Sequence, residues 1–235
     1  MLRRDDVYDH ISSRYELLIS KEDYEGNIAR AIAGIVRMQG KDFVDLGAGT
    51  GRLTRLYAPI AASATAVDRA ADMLRVAATK LAAAGLFNWR TIVSDYRRVP
   101  LDDRCADVVT AGWTLCYVAS SDVPGWEEHL ETAIGEIDRL LRDGGTSIIL
   151  ETLGTGEEEP RRPEHLRDYY DALEHKYGYR HLAVRTDYAF DSAEQAESLC
   201  RDFFGDELGD RIREQGLRIV PENTGIWWRT KRVIR

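Results

Sequence analysis

Apolar and polar residues follow two rhythms along this chain. Between residues 41 and 150, short runs rich in Val and Ile are separated by longer stretches in which apolar side chains return every three or four positions. The first rhythm predicts buried strands and the second amphipathic helices, so their alternation predicts successive βα units and a mainly parallel sheet. Strands are expected at 42–46 (DFVDL), 64–68 (ATAVD), 89–95 (WRTIVSD), 106–112 (ADVVTAG) and 146–152 (TSIILET). In the stretch 70–85, Met73, Leu74, Ala77 and Leu81 fall at helical steps, and Gly85 stands where a helix C-terminal glycine belongs. A second helix over 126–141 aligns Leu130, Ile134, Ile137, Leu140 and Leu141, and the run Asp143, Gly144, Gly145 should turn the chain into the fifth strand.

The rhythm changes on both sides of this core. Residues 1–38 read as an N-terminal helical cap carrying Tyr8, Tyr15 and Tyr24 above an apolar set of Ile28, Ile32, Ile35 and Val36. Residues 153–180 read as an insertion rich in Pro, Gly and charge, with one amphipathic helix. A strand near 182–190, a helix near 193–204 and a last strand near 226–233 would bring the sheet to seven strands within a single domain, 1–235.

Composition narrows the partners. Of 235 residues, 44% are hydrophobic and 31% charged, which suits an ordinary globular core. The formal net charge of -8 disfavours nucleic acid and anionic membrane surfaces, whose phosphates are held mainly by Lys and Arg. The basic clusters at Arg161, Arg162 and Arg167 and at Arg229, Lys231, Arg232 and Arg235 read as solvated faces. Three widely spaced cysteines, Cys105, Cys116 and Cys200, offer no CxxC pair and no histidine at a metal-ligand spacing, so neither a metal site nor a disulfide framework is expected. The start MLRRDDVYDH lacks the apolar run of a signal peptide, and no stretch of about 18 apolar residues occurs. A cytoplasmic location is the expectation.

The chemistry concentrates at residues 43–51, FVDLGAGTG, where a buried strand ends on an acid and glycine then occupies every second position. Gly47, Gly49 and Gly51 permit backbone angles that other residues resist and let a ligand lie close to the main chain. The loop is expected at the C-terminal edge of a parallel sheet, where open α/β folds bind ligands. The spacing is G-x-G-x-G, with Arg52 where the third glycine of a dinucleotide fingerprint would stand. Asp45, just before the loop, disfavours a phosphate and suits an ammonium or sulfonium.

With these residues in view, VDLGAGTGR resembles the glycine-rich motif of class I S-adenosylmethionine-dependent methyltransferases. AVDRAADML resembles the second-strand motif of that family, which implies that Asp68 grips the ribose hydroxyls and that Met73 lines the adenine site, with Arg69 beside them. VSDYRRVPL resembles the third motif, with Asp95 toward the adenine amino group and Tyr96 adjacent. LLRDGGTSIIL resembles the turn into the fifth strand, although Asp143 stands where proline is usual, as Ala48 stands where cysteine is frequent. The resemblance covers residues 41–152. It implies a doubly wound, Rossmann-like α/β fold, a mainly parallel seven-stranded sheet with helices on both faces, and S-adenosylmethionine as cofactor, held by Asp45, Gly47, Ala48, Gly49, Gly51, Asp68, Arg69, Met73, Asp95, Tyr96 and Trp113.

The implied function is in-line methyl transfer to a small-molecule acceptor, with no nucleic acid or membrane partner. The acceptor is expected against Tyr8, Tyr15, Tyr117, Tyr169 and Tyr170, with Tyr117 and Glu151 as candidate bases. Two alternatives stay open: an NAD(P)-dependent oxidoreductase of Rossmann type, and a non-catalytic S-adenosylmethionine-binding module.

Overall fold

Strand β1, Asp42–Leu46, is buried along nearly its whole length because it lies in the middle of the sheet. The computed structural model describes residues 14–232. Their strands include β2 (Ser63–Asp68), β3 (Trp89–Val93), β4 (Ala106–Gly112), β5 (Leu141–Thr155), β6 (Arg180–Arg185) and β9 (Glu222–Thr230), hydrogen-bonded in the order β3-β2-β1-β4-β5-β9-β6. A further ribbon pairs β7 (Tyr188–Ala189) with β8 (Ile219–Val220). The pairs β1–β2, β1–β4, β2–β3 and β4–β5 are all parallel. The strand order reverses between β1 and β4, so the C-terminal ends of these two strands flank the crevice typical of doubly wound sheets.

The helices are α1 (described from residue 14 to 19), α2 (Asn27–Ala33), α3 (Arg52–Tyr57), α4 (Ala71–Ala83), α5 (Cys116–Ala119), α6 (Trp126–Leu140), α7 (Arg167–Asp171), α8 (Ala193–Phe204) and α9 (Asp206–Gln215). The described chain groups into two compact units. The larger comprises residues 31–151, 162–182 and 225 onward; the smaller comprises those up to 30, 152–161 and 183–224.

In the larger unit, Phe43, Val44, Leu46, Ala66, Val67, Val108, Val109, Ile148 and Ile149 form the buried centre of the sheet. The α6 stripe anticipated from periodicity is buried at Leu130, Ile134, Ile137 and Leu140. One charged residue shares that stripe: Glu136 accepts the Val99 N–H at 2.6 Å, and its partner Arg139 donates to the Val99 and Leu101 carbonyls. That pair anchors the β3–β4 connection to α6. The run Asp143, Gly144, Gly145 does not precede β5. It forms an irregularity inside the strand, because the register jumps from Ala106↔Leu141 to Val108↔Thr146 and the strand starts at Leu141.

The smaller unit is built on α8 and α9, joined at Gly205 and packed with Leu18, Tyr188, Phe190, Leu199, Cys200, Leu208, Ile212 and Val220. Ser192 caps α8 by accepting the Gln195 N–H. Helix α9 was not anticipated, because only Leu208 and Ile212 of its ten residues are large, buried and apolar. Nor was the break between β6 and β7, at Thr186 and Asp187, within what periodicity reads as one strand.

The tyrosines expected to line an acceptor site mostly do not. Tyr169 and Tyr170 are 0% exposed. Tyr170 lies tilted 4.4 Å from Trp227, His181 stacks 4.6 Å from the same indole, and Trp227 donates to Glu174 at 2.9 Å. The amphipathic segment places these rings on its inner face, so their apolar area stabilises the core of the larger unit instead of forming a lid. Tyr15 packs 5.9 Å from Phe203 within the smaller unit, and Tyr8 lies outside the described residues. Trp227→Ala should therefore cost about 3–5 kcal/mol of stability, the range for truncating a large buried aromatic, and leave Glu174 short of a donor. Chemical denaturation measures it; a loss under ~1 kcal/mol would show that this pile is not a core.

Candidate cofactor site

The site is organised by a carboxylate that faces inward. Asp45 sits at the end of β1 and is 2% exposed. Its Oδ2 accepts the Thr54 N–H at 3.0 Å and the Thr54 hydroxyl at 2.7 Å, and its Oδ1 accepts the Thr110 hydroxyl at 2.7 Å. Both oxygens are therefore engaged within the protein, tying β1 to the start of α3 and to β4. Burial pushes its pKa up to about 6 against the opposing pull of these hydrogen bonds, with the nearby Asp68 charge adding to the rise. The expectation that Asp45 presents a free charge to a ligand is corrected: both its oxygens turn inward onto Thr54 and Thr110, where they brace the loop.

The three glycines differ in what they permit. A Cβ on Gly47 would come within 2.1 Å of the Thr114 Oγ1, and one on Gly51 within 2.9 Å of the Ala77 Cβ. Packing inside the protein excludes a side chain at both. Gly49 has φ +54° and open space where its Cβ would point. The loop is fixed around this opening: Ala48 N–H donates to the Val67 carbonyl at 2.9 Å, and Gly49 N–H donates to Asp68 Oδ2 at 2.9 Å.

Asp68 thus stands at the end of β2 as a latch. Its Oδ1 also accepts the Ala70 N–H at 2.8 Å, just ahead of α4. The ribose-contact and helix-entry readings are compatible, since a carboxylate offers about four acceptor positions and these two bonds use two. Thr50, the loop residue not singled out from sequence, is 2% exposed and its hydroxyl has no hydrogen-bond partner. Such a buried group is expected to have a ligand or water as partner. Its position in the glycine run was the only signal for it.

Farther along the edge, Asp95 is held by Arg97 through a bidentate pair and the Arg97 N–H, and this hydrogen bonding lowers its pKa. Tyr96 is half-buried, and its hydroxyl donates to the Thr114 carbonyl at 3.3 Å. Met73 is half-buried and Arg69 exposed. Trp113, just past β4, has φ +50°, an uncommon backbone state for a bulky residue and one that tends to occur at functional sites. Its N–H donates to the Leu150 carbonyl at 2.7 Å, and the Arg52 guanidinium lies 4.4 Å over its ring. The third-glycine position of a dinucleotide fingerprint is thus filled by an arginine stacked on this turn.

Next to it, Glu151 is 0% exposed; Oε1 accepts the Cys116 N–H at 3.1 Å and the Tyr169 hydroxyl at 3.2 Å. Burial raises its pKa to about 7, against the pull of Cys116 and Tyr169. Tyr117, the other candidate base, is 75% exposed on α5.

Comparison with known proteins agrees with this geometry. Residues 44–149 match the family model described as a methyltransferase domain. The chain is 32% identical over 127 residues to a malonyl-[acyl-carrier protein] O-methyltransferase of Pectobacterium atrosepticum, covering 54% of this chain and 44% of that protein. It is 30% identical over 155 residues to the ubiquinone/menaquinone biosynthesis C-methyltransferase UbiE of Stutzerimonas stutzeri, covering 62% of this chain and 56% of that protein. The chain thus spans about half the length of these curated relatives. In fold it matches a SAM-dependent methyltransferase from Aquifex aeolicus with a TM-score of 0.56 at 16% identity, over 92% of this chain and 96% of that one.

An open, parallel sheet with a glycine loop at the end of its first strand is the frame of a nucleoside-cofactor domain. Residues 44–149 are similar to methyltransferase domains. The cofactor that this similarity implies is S-adenosylmethionine. The residues present fit it, because the open side of Gly49, the spare acceptor positions of Asp68 and the unpartnered Thr50 hydroxyl belong to one loop and its latch.

Two outcomes are expected. Gly49→Val should abolish binding of S-adenosylhomocysteine at a backbone strain of about 1–3 kcal/mol, whereas Gly47→Ala should chiefly lower stability through its clash with Thr114. Melts and titrations on the same samples separate the two; normal binding by Gly49→Val would show that the loop only turns the chain. The second concerns pH. Because the folded pKa of Asp45 is raised from 3.8 to about 6, the folded state holds this proton more tightly, so its contribution is fully present below about pH 4 and is lost as pH rises through 6. Denaturation of wild type relative to Asp45→Asn should show a loss of roughly 3 kcal/mol across that window. A difference independent of pH would mean that Asp45 does not titrate there.

Proposed function

We propose that this protein is an S-adenosylmethionine-dependent methyltransferase that acts on a small-molecule acceptor in the cytoplasm. The observation that carries the reading is Gly49, latched by Asp68 and open on the side where its Cβ would lie. When bound, the cofactor supplies a methyl group already activated on a positive sulfonium. The chain's part is to hold and orient: the backbone at Gly47–Gly51 and the Thr50 hydroxyl would hold the amino-acid end, Asp68 the ribose, and Met73, Asp95 and Tyr96 the adenine. Orienting the acceptor in line contributes up to roughly 7–11 kcal/mol in well-aligned reactions. The net charge of -8 supports a small acceptor over nucleic acid. Among the described residues no helix is long and apolar enough to cross a membrane.

The two matched relatives methylate, by their names, an oxygen and a carbon, so the acceptor atom is not carried over from them. Against the oxidoreductase alternative stands Arg52, stacked on Trp113 at the position where a dinucleotide loop needs glycine.

Calorimetry should show micromolar or tighter binding of S-adenosylhomocysteine and none of NAD, and a screen of small acceptors should show methyl transfer. Asp68→Ala should weaken the binding by about 1–3 kcal/mol through unpaired ribose hydroxyls while the protein stays folded. No binding by the folded wild type would end the reading; unchanged affinity in Asp68→Ala would confine Asp68 to latching the loop.

A further inference from the structure

We propose that Glu151 is the proton acceptor for a hydroxyl-bearing substrate, a small phenol or enol, so that this enzyme is an O-methyltransferase; the inference rests on the methyltransferase reading above. Three observations converge on the carboxyl. It directly follows Leu150, whose carbonyl receives the N–H of the strained Trp113, so it stands within β5 one residue beyond the last β4–β5 pair, Gly112↔Leu150, level with the turn that leaves β4. Its Oε1 accepts the Cys116 N–H and the Tyr169 hydroxyl, and the Cys116 thiol and the Leu115 backbone N–H lie against the same carboxyl. Its Oε2 is fully buried and has no hydrogen-bond partner.

One oxygen is therefore held rigid while the other is left to act, an arrangement that costs stability unless a proton or a ligand completes it. The titratable groups around it are Tyr96 after β3, Cys116 and Tyr117 on α5, and Tyr169 on α7. Burial raises the pKa of Tyr96, Cys116 and Tyr169, which stay protonated near neutrality and leave Glu151 as the group that changes state. Its pKa of about 7 suits a general base, which works best near the operating pH. Tyr169 and the Cys116 N–H are positioning groups, acting through Oε1.

The substrate class follows from the need for a base. A neutral amine or a carboxylate attacks through a lone pair it already has, whereas a hydroxyl must lose its proton. The hydroxyl proton passes to Oε2, the oxygen pair so released bonds to the methyl carbon, the carbon–sulfur pair returns to sulfur, and the proton leaves Glu151 for solvent. Tyr96 and Tyr117 lie close enough to Glu151 to feel its charge, and aromatic neighbours suit a flat acceptor.

The test uses the full chain, wild type, Glu151→Gln and Glu151→Asp, with 4-methylphenol as the probe, since it keeps its proton at neutrality, 4-methylanisole as its hydroxyl-free control and 4-methylaniline as an amine acceptor. S-Adenosylhomocysteine should bind wild type and Glu151→Gln alike. In infrared difference spectra, a carboxyl band absent from Glu151→Gln should titrate near neutrality and shift with 4-methylphenol but not with 4-methylanisole. Methyl transfer to 4-methylphenol should rise with pH up to about neutrality, fall about a hundredfold or more in Glu151→Gln, and regain its pH dependence in Glu151→Asp. A Glu151→Gln protein that binds S-adenosylhomocysteine yet keeps the rate and pH profile overturns the proposal, as does an infrared band indifferent to the phenol or transfer to 4-methylaniline alone. Loss of S-adenosylhomocysteine binding in wild type overturns the methyltransferase reading itself.

Discussion

The larger unit depends on one buried carboxylate. Asp45 accepts three hydrogen bonds, from the Thr54 N–H, the Thr54 hydroxyl and the Thr110 hydroxyl, and so joins β1, α3 and β4 where the sheet order reverses. The loop between β1 and α3 cannot shift without breaking these bonds in a setting where water does not replace them. Burial works against the charge, as its raised pKa shows, and the three donors hold the acid in place despite that. The backbone at Gly49, steadied from the other side by Asp68, is what the proposed cofactor would meet.

The same economy appears at the end of β4. The chain leaves the sheet through Trp113 in a left-handed conformation, pinned by the Leu150 carbonyl and covered by Arg52. That turn sends Thr114 toward the glycine loop, where it blocks any side chain at Gly47, and sends Cys116 toward Glu151. One strained residue thus couples the cofactor loop to the carboxyl proposed as base, and strain of this kind persists only where the surroundings over-determine it. Tyr169 completes the arrangement from a segment far along the chain.

The fold by itself assigns no substrate. The matched relatives are named as an O- and a C-methyltransferase, so a match to this type of domain leaves the methylated atom open. Tyr96, Tyr117 and Glu151 in the larger unit are the residues proposed to meet the acceptor, while the smaller unit has its own core around α8 and α9.

Local periodicity was enough to show the strands β1 to β4, the helices α4, α6 and α8, and the glycine loop after Asp45, because burial on one face leaves a repeating trace in the chain. It was enough to place Asp68 at the second strand end as well. Other features arise between residues distant in sequence and leave no such trace. That Gly47 and Gly51 are glycines for the sake of Thr114 and Ala77, while Gly49 alone faces open space, depends on which elements pack against the loop. That Asp45 turns inward depends on hydroxyls 9 and 65 residues away. Tyr169 and Tyr170 look like surface aromatics in a charged segment, yet the fold closes Trp227 over them and makes them core. Composition and period decide what a residue can bury against; only the assembled sheet decides which partner it finds, and therefore which polar atom, such as Oε2 of Glu151, is left without one.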